Sequence, residues 1–420
     1  MQSPPEKSTL VPIAATSNPS IFLSAGEASG DHYGAQLIDE LCTRLPGLTT
    51  FGLGGKEMEA AGQHRIVHAE DVAHMGITEV LRHAPRVYAS YRRLVASIKE
   101  RRPDAAILID FPDVNLRLAR ELRKLNIPVV YFVSPQLWAW KRKRLRWVQQ
   151  RVTRMMVIFP FEAPFYQHRN VAAEFVGHPL AYLPMPTISL ENYTLQHNLD
   201  PGKHWIALLP GSRRKEVEAN LPEMLEAAAK LGDNYEFLIP VASTLNQSIF
   251  TSLITQRTPN IHLVPDAREA LHHARASIVA SGTATVQAAV IGNPFVVVYK
   301  VSPLTFAAAK RLVHYPPEIW SGQPDAHGNL PIGMVNLIAG RPIIPEFLQH
   351  QFTAANLAAS LKPLLEDTPE RARMIADLTE VRTRLIPDTT HTPIQRVADA
   401  IESLLGHPAT SSGQIHTSRV

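Results

Sequence analysis

The sequence predicts an α/β protein built from two similar doubly wound domains, each a parallel sheet with helices on both faces. Three observations predict it. Short apolar runs alternate with amphipathic helical stretches. A strand–loop–helix opening near the N-terminus recurs about halfway along the chain. Between the two copies the pattern stops, and Pro184, Pro186 and Pro201 mark a linker. A chain of 420 residues accommodates two or three domains at roughly 150 residues each.

The first copy begins with a short buried run at 21–25. The loop Gly26-Glu27-Ala28-Ser29-Gly30-Asp31 follows, and then Tyr33, Leu37, Ile38 and Leu41 recur at helical spacing. Further strands are expected at 105–109, 129–133, 155–159 and 174–176. The second copy opens with a strand at 205–209 and the loop Pro210-Gly211-Ser212-Arg213-Arg214-Lys215. A helix carrying Leu221, Leu225, Ala228 and Leu231 comes next. Its remaining strands are expected at 236–240, 261–264, 277–280 and 295–298. An amphipathic helix at 394–405 closes the periodic part. The expected organisation is a tail at 1–19, a first domain at 20–185, a linker at 186–202, a second domain at 203–385, a C-terminal segment at 386–406 and a tail at 407–420.

Composition excludes several classes. With 45% hydrophobic and 19% charged residues, the chain is neither fibrous nor wholly disordered. A single cysteine, Cys42, rules out an intramolecular disulfide and a cysteine zinc cage. Residues 1–19 carry no secretory apolar core, since Pro12 breaks the only apolar stretch. Residues 276–299 run uncharged for the length of a membrane span, but Ser281-Gly282-Thr283, Gln287 and Asn293-Pro294 divide them into strand, loop, helix and strand. The chain is expected to be soluble or to touch membranes only from the side.

In doubly wound sheets ligands bind beyond the carboxyl ends of the strands, so the loops there are where chemistry is sought. Gly211-Ser212-Arg213 joins a strand to a helix N-terminus, which favours an anion, and Arg213 adds a planar fork for phosphate oxygens. An ordinary solvated turn fits the same residues. Ser281-Gly282-Thr283-Ala284 is a second such loop. Gln287 one turn on can reach a ribose hydroxyl, although Ser281 and Thr283 also suit a plain helix cap. Two anion-shaped loops in one domain favour a nucleotide diphosphate. In the first domain, Asp110 and Asp113 emerge after a strand with Pro112 between them. Either can act as a general base if its pKa is raised, or both can cap the helix beyond. Glu27 and Asp31 pose the same choice. No G-x-G-x-x-G fingerprint occurs, which disfavours a nicotinamide enzyme, and His64 and His68 lack further ligands for a metal frame.

The charge is unevenly divided. Residues 82–154 hold eighteen Lys/Arg against five acids, a local +13 that leaves −9 for the rest of a chain totalling +4. Within and just before this segment, Ile77, Val80, Leu81, Ala84, Val87, Tyr88, Tyr91, Leu94, Val95 and Ile98 follow helical steps, with a break or restart expected at Pro85. Trp138, Trp140 and Trp147 stand among cations. A solvated outer face, contact with anionic lipid through Val87, Tyr88, Tyr91, Arg92 and Arg93, and nucleic-acid binding all fit the pattern. No nucleic-acid module accompanies it.

Taken together, the motifs AGEASGD (25–31), FGLGGKEM (51–58), MGITEVL (75–81), DFPDVN (110–115), VSPQLWAWKRKR (133–144), FPFE (159–162), FVGHP (175–179), LPGSRRKEV (209–217) and ASGTATVQ (280–287) resemble the lipid-A-disaccharide synthase family over about residues 20–400. The resemblance implies the GT-B fold and inverting transfer of 2,3-diacylglucosamine. UDP-2,3-diacylglucosamine would be the donor and 2,3-diacylglucosamine 1-phosphate the acceptor, giving a β-1′,6-linked disaccharide and UDP. It implies work at the cytoplasmic face of the inner membrane, with no metal or other cofactor. Asp113 is the first choice of base and Asp110 the alternative. Glu27, Ser29, Gly30, Asp31 and Asn115 would shape the acceptor side. Arg213 and the 281–284 loop would receive the diphosphate, and Asn336 matches a polar position of the donor domain. In GT-B proteins the C-terminal helix often crosses back to the first domain. Gln287 departs from the Glu usual in the family and lacks its charge-assisted hydrogen bond. UDP-sugar 2-epimerases share the fold and are the rival enzyme class.

Overall fold

Two parallel sheets organise the chain in a computed structural model that describes residues 18–73, 77–242, 245–254 and 260–406, with side chains described outside 72–84. The expected tails therefore lie almost wholly outside the described residues. The first sheet contains β1 (Ser20–Ala25), β2 (Thr49–Gly54), β3 (His64–His68), β4 (Ala105–Ile109), β5 (Val129–Phe132), β6 (Arg154–Val157) and β7 (Ala173–Phe175), in the order 3-2-1-4-5-6-7. The second contains β8 (His204–Leu209), β9 (Tyr235–Pro240), β10 (Ile261–Val264), β11 (Ala276–Ala280), β12 (Phe295–Tyr299) and β13 (Glu346–Leu348), in the order 10-9-8-11-12-13. Every strand pair is parallel. The central strands are buried on both faces, which is why β4 and β11 read as unbroken apolar runs rather than alternations.

Each sheet starts at an inner strand, winds outward, and then returns to the other side of that strand. The direction reverses between β1 and β4 and again between β8 and β11. Ala25 pairs with Ile109, so Gly26 and Asp110 leave the first sheet side by side. Leu209 pairs with Val279, so Pro210 and Ser281 leave the second nearly together. These are the switch points at which open α/β sheets bind ligands.

Three strands were not expected. β2 contains Gly52 and Gly54, β3 is the polar run HRIVH at an edge, and β13 has three residues, so each lacks an apolar signal. His64 and His68 fall on β3, about 13 Å apart at strand rise. The helix expected to break at Pro85 is continuous over Ile77–Arg101. Proline removes one backbone bond and crowds the preceding turn. Here Leu94 and Ile98 anchor the later turns in the core, while the side chains of Ile77, Val80, Leu81 and Ala84 lie outside the described residues. The linker also contains a helix, Leu190–His197, whose buried Tyr193 stacks on His273 at 4.3 Å between ring centroids.

The helix Pro393–Leu404 packs against the helix Ala28–Arg44 of the first domain. Val397, Ala398 and Ile401 are fully buried in a cluster with Leu23, Ile38 and Leu41. Near the domain seam, His178 N–H donates to the Leu385 carbonyl at 3.0 Å and the Tyr182 hydroxyl to that of Asp388 at 2.7 Å. Loops leaving the carboxyl ends of the two sheets also touch. Trp138 lies 5.7 Å from Tyr315 between ring centroids, and His314 N–H donates to the Ala139 carbonyl at 3.3 Å.

Candidate active site

At the first switch point the backbone turns sharply. Asp110 and Phe111 both adopt left-handed conformations (φ 45° and 46°), which cost of order 1–3 kcal/mol each for non-glycine residues. The surroundings hold them there. Asn115, fully buried, donates through Nδ2 to the carbonyls of Ser24 (3.2 Å), Ile109 (3.1 Å) and Asp110 (2.8 Å), and its Oδ1 accepts from the Ser24 hydroxyl at 2.6 Å. The Tyr131 hydroxyl donates to the Asp110 carbonyl at 2.5 Å. The Phe111 ring lies over Gly26, where a β-carbon would stand 2.4 Å from it. Asn115 thus orients the loop from beneath, and only glycine fits at position 26.

This geometry separates the two candidate bases. Asp110 is half-buried beside Glu27. Burial first and the Glu27 charge second raise its carboxyl to about 6, with the Phe111 amide offsetting part of the rise. Asp113 is exposed, with 67% of its side chain accessible, and forms an ion pair with Arg144. The capping alternative is not realised by side chains, because the Pro112–Lys124 helix begins at Phe111 without a side-chain cap.

The Gly26–Asp31 loop divides in the same way. Glu27 is the N-cap of the Ala28–Arg44 helix but makes no side-chain cap bond, and both Glu27 and Ser29 are exposed. Gly30 lets the helix approach β1, since a β-carbon there would meet the Ala25 β-carbon at 3.2 Å. Asp31 is buried, and its carboxylate accepts from the amides of Gly55 (2.7 Å), Glu57 (3.1 Å) and Met58 (3.2 Å). It serves the Lys56–Ala60 helix rather than an open cleft.

At the second switch point Gly211, Ser212 and Ser281–Ala284 line one cleft of about 310 Å³ together with Gln287, whereas Arg213 is not on its wall. Leu209, Pro210, Ala280 and Glu216 complete the cleft beside Pro240–Ala242, Pro265 and Ala267, and these last residues were not expected because apolar strand ends carry no chemical signature. Gly211 has φ 124°, and a β-carbon there would lie 2.5 Å from the Glu216 carboxylate. That carboxylate accepts from the amides of Ser212 (3.1 Å) and Arg213 (3.4 Å), so a carboxylate sits where an anion is expected. Arg213 is largely exposed. The Thr283–Ile291 helix starts at Gly282 with no side-chain cap, so Ser281 and Thr283 do not perform the capping alternative. Asn336 lies apart from this cleft. It is buried, and its amide group donates to Ile344 O (2.9 Å) and Glu346 Oε1 (2.7 Å) while accepting from the amides of Ile343 (2.8 Å) and Ile344 (3.0 Å).

Of the lipid-facing candidates, Tyr88 is 62% exposed, Arg92 and Arg93 are exposed, and Val87 and Tyr91 are half-buried. Among the described residues no three His, Cys, Asp or Glu converge as metal ligands, and no helix is long and apolar enough to cross a membrane.

Two doubly wound sheets with candidate site loops at both switch points make up the GT-B fold. A solved calicheamicin glycosyltransferase shares this architecture with a TM-score of 0.58 at 16% identity, over 93% of this chain and 98% of that one. The UDP-GlcNAc 2-epimerase of Neisseria meningitidis, solved with UDP-GlcNAc, shares the fold with a TM-score of 0.55 at 12% identity, over 92% and 100%. The family described as lipid-A-disaccharide synthetase matches residues 21–393. The lipid-A-disaccharide synthase of Acidobacterium capsulatum is 54% identical over 384 residues, covering 88% of this chain and 92% of that protein. This chain belongs to the lipid-A-disaccharide synthase family.

Proposed function

We propose that this glycosyltransferase moves 2,3-diacylglucosamine from UDP-2,3-diacylglucosamine to the 6-hydroxyl of 2,3-diacylglucosamine 1-phosphate, with inversion. The acceptor oxygen bonds to the donor anomeric carbon as the bond from that carbon to the diphosphate breaks. The hydroxyl proton passes to a carboxylate, and UDP departs. Asp110, rather than Asp113, is that carboxylate. The observation that carries this assignment is its half-buried seat at the first switch point, where burial and Glu27 raise its pKa to about 6. Asp113 is engaged by Arg144 and belongs to the rim.

The backbone amides of the 211–213 and 282–284 loops, with Arg213, would take the charge of departing UDP, and Gln287 would meet the ribose. The Glu216 carboxylate must yield its amides to the diphosphate. Tyr88, Arg92 and Arg93 would hold the enzyme to the anionic cytoplasmic face of the inner membrane, where its lipid substrates reside.

The test is purified protein supplied with both lipid substrates and assayed for the disaccharide. Asp110→Asn should lower kcat by about 10²–10⁴ without weakening UDP binding, and Asp113→Asn should keep most of its turnover. A fully active Asp110→Asn enzyme removes Asp110 from the role.

A further inference from the structure

The helix Pro303–Leu312, sequence PLTFAAAKRL, buries none of its residues. Leu304, Ala308 and Leu312 stand four apart, so they form one stripe along it, and all three are exposed. Leu304 is 84% and Leu312 66% accessible, and Lys310 and Arg311 close the last turn beside them. An apolar stripe with cations at its margin is how a helix lies in a lipid interface.

The stripe is not isolated. It leads to His314, whose carbonyl accepts a hydrogen bond from Arg142 across the domain seam. Arg142 belongs to Trp140–Lys143, where exposed Trp140 carries the Lys141 ammonium 4.3 Å from its ring centroid. Cations continue through Arg144 and Arg151, which both face the Trp147 ring. Next to Arg151 comes Arg120, and both guanidinium groups lie within electrostatic range of Tyr91 on the Ile77–Arg101 helix. A basic, aromatic band therefore runs from the Tyr88 face of the first domain to an uncovered apolar stripe on the second.

We propose that the Pro303–Leu312 helix is a second seat on an anionic bilayer, so that both domains are held to the membrane on either side of the seam. The charge of the band selects the anionic lipid surface as the occupant. Its continuity with the Tyr88 face selects the bilayer over a second copy of the chain. The proposal rests on the reading that the enzyme meets its substrates at a membrane.

The test is co-sedimentation of the full chain with phosphatidylglycerol–phosphatidylcholine vesicles, and with phosphatidylcholine alone, read beside light scattering. Leu304→Glu/Leu312→Glu should lower partitioning onto the anionic vesicles by about tenfold while leaving turnover of detergent-dispersed substrates unchanged. Leu304→Ser/Leu312→Ser, which adds no charge, should lower it in the same direction. A Tyr88→Ala/Arg92→Glu/Arg93→Glu variant separates the two ideas. If it loses vesicle binding while both leucine pairs bind as the parent does, the second seat is refuted and the membrane reading stands. If none of the variants affects binding, both fail. If the leucine pairs change the oligomeric state and not the partitioning, the stripe joins two copies and the proposal is overturned.

Discussion

Asp110 owes its character to three neighbours that the sequence alone did not connect. Asn115 is fixed one helical turn along, Tyr131 comes from the adjacent strand β5, and Glu27 comes from the loop after β1. The motif showed two carboxylates at a strand end, but choosing between them requires knowing which one the backbone turns inward. The two consecutive left-handed residues make that choice, and no spacing rule announces a left-handed phenylalanine. Asp31 and Asn336 show the same limit, since polar residues in functional motifs are here consumed by buried backbone groups. A base must be ionised to accept a proton. With its pKa raised from 3.8 to about 6, Asp110 protonates as pH falls through 6, so the acid limb of kcat/KM is expected there. Replacing Glu27 by Gln removes a like charge and lowers the Asp110 pKa. The acid limb should then move to lower pH in a pH–rate profile, and a limb that stays in place or moves upward contradicts the coupling.

The strand–loop–helix unit is the element from which the site is built four times. The apolar runs for β1, β4, β8 and β11 made those units legible, because buried parallel strands need unbroken apolar sequence. Strand order was not legible, and it is strand order that sets the Gly26 loop beside the Asp110 loop. Edge strands β3 and β13 stayed hidden because they are polar or too short to show a period. The contact between the first two loops can be broken at a single atom. In Gly26→Ala the new methyl meets the Phe111 ring at 2.4 Å, so the ring and the Asp110 backbone must shift together. A misplacement of about 1 Å costs on the order of 10² in rate. Transfer should fall by that factor, whereas UDP affinity, which the proposed donor cleft assigns to the other domain, should match the parent in calorimetry. Parallel loss of UDP affinity would show that the two loops are not independent of the donor cleft.

At the scale of the whole chain, the first domain is completed by a helix, Pro393–Leu404, that lies at the far end of the sequence from its first strand, Ser20–Ala25. The periodicity of 394–405 showed an amphipathic helix, but its apolar face did not identify its partner. The structure supplies it. Ile394, Val397, Ile401 and Leu405 enter the cluster formed by β1, β4 and the Ala28–Arg44 helix. Arg44, with 8% of its side chain accessible, pairs with Asp399 (2.5 Å) and nearly buried Glu402 (2.9 Å). Fully burying four such apolar side chains contributes roughly 6–12 kcal/mol as an upper estimate, comparable to the ~5–15 kcal/mol that stabilises a typical domain. The ion pairs add orientation more than net stability, since desolvation offsets much of their attraction. The helix is therefore part of the first domain's core although it follows the second domain in sequence, and this return path ties the two domains together beyond the seam. Truncating Ile401 to Ala should cost about 2–5 kcal/mol by leaving a cavity in the cluster where its helix meets the Ala28–Arg44 helix and β5. The loss should appear as a lower melting temperature for the first domain, with UDP still protecting the second against heat. A variant that melts like the parent would mean that the C-terminal helix merely rests on the first domain.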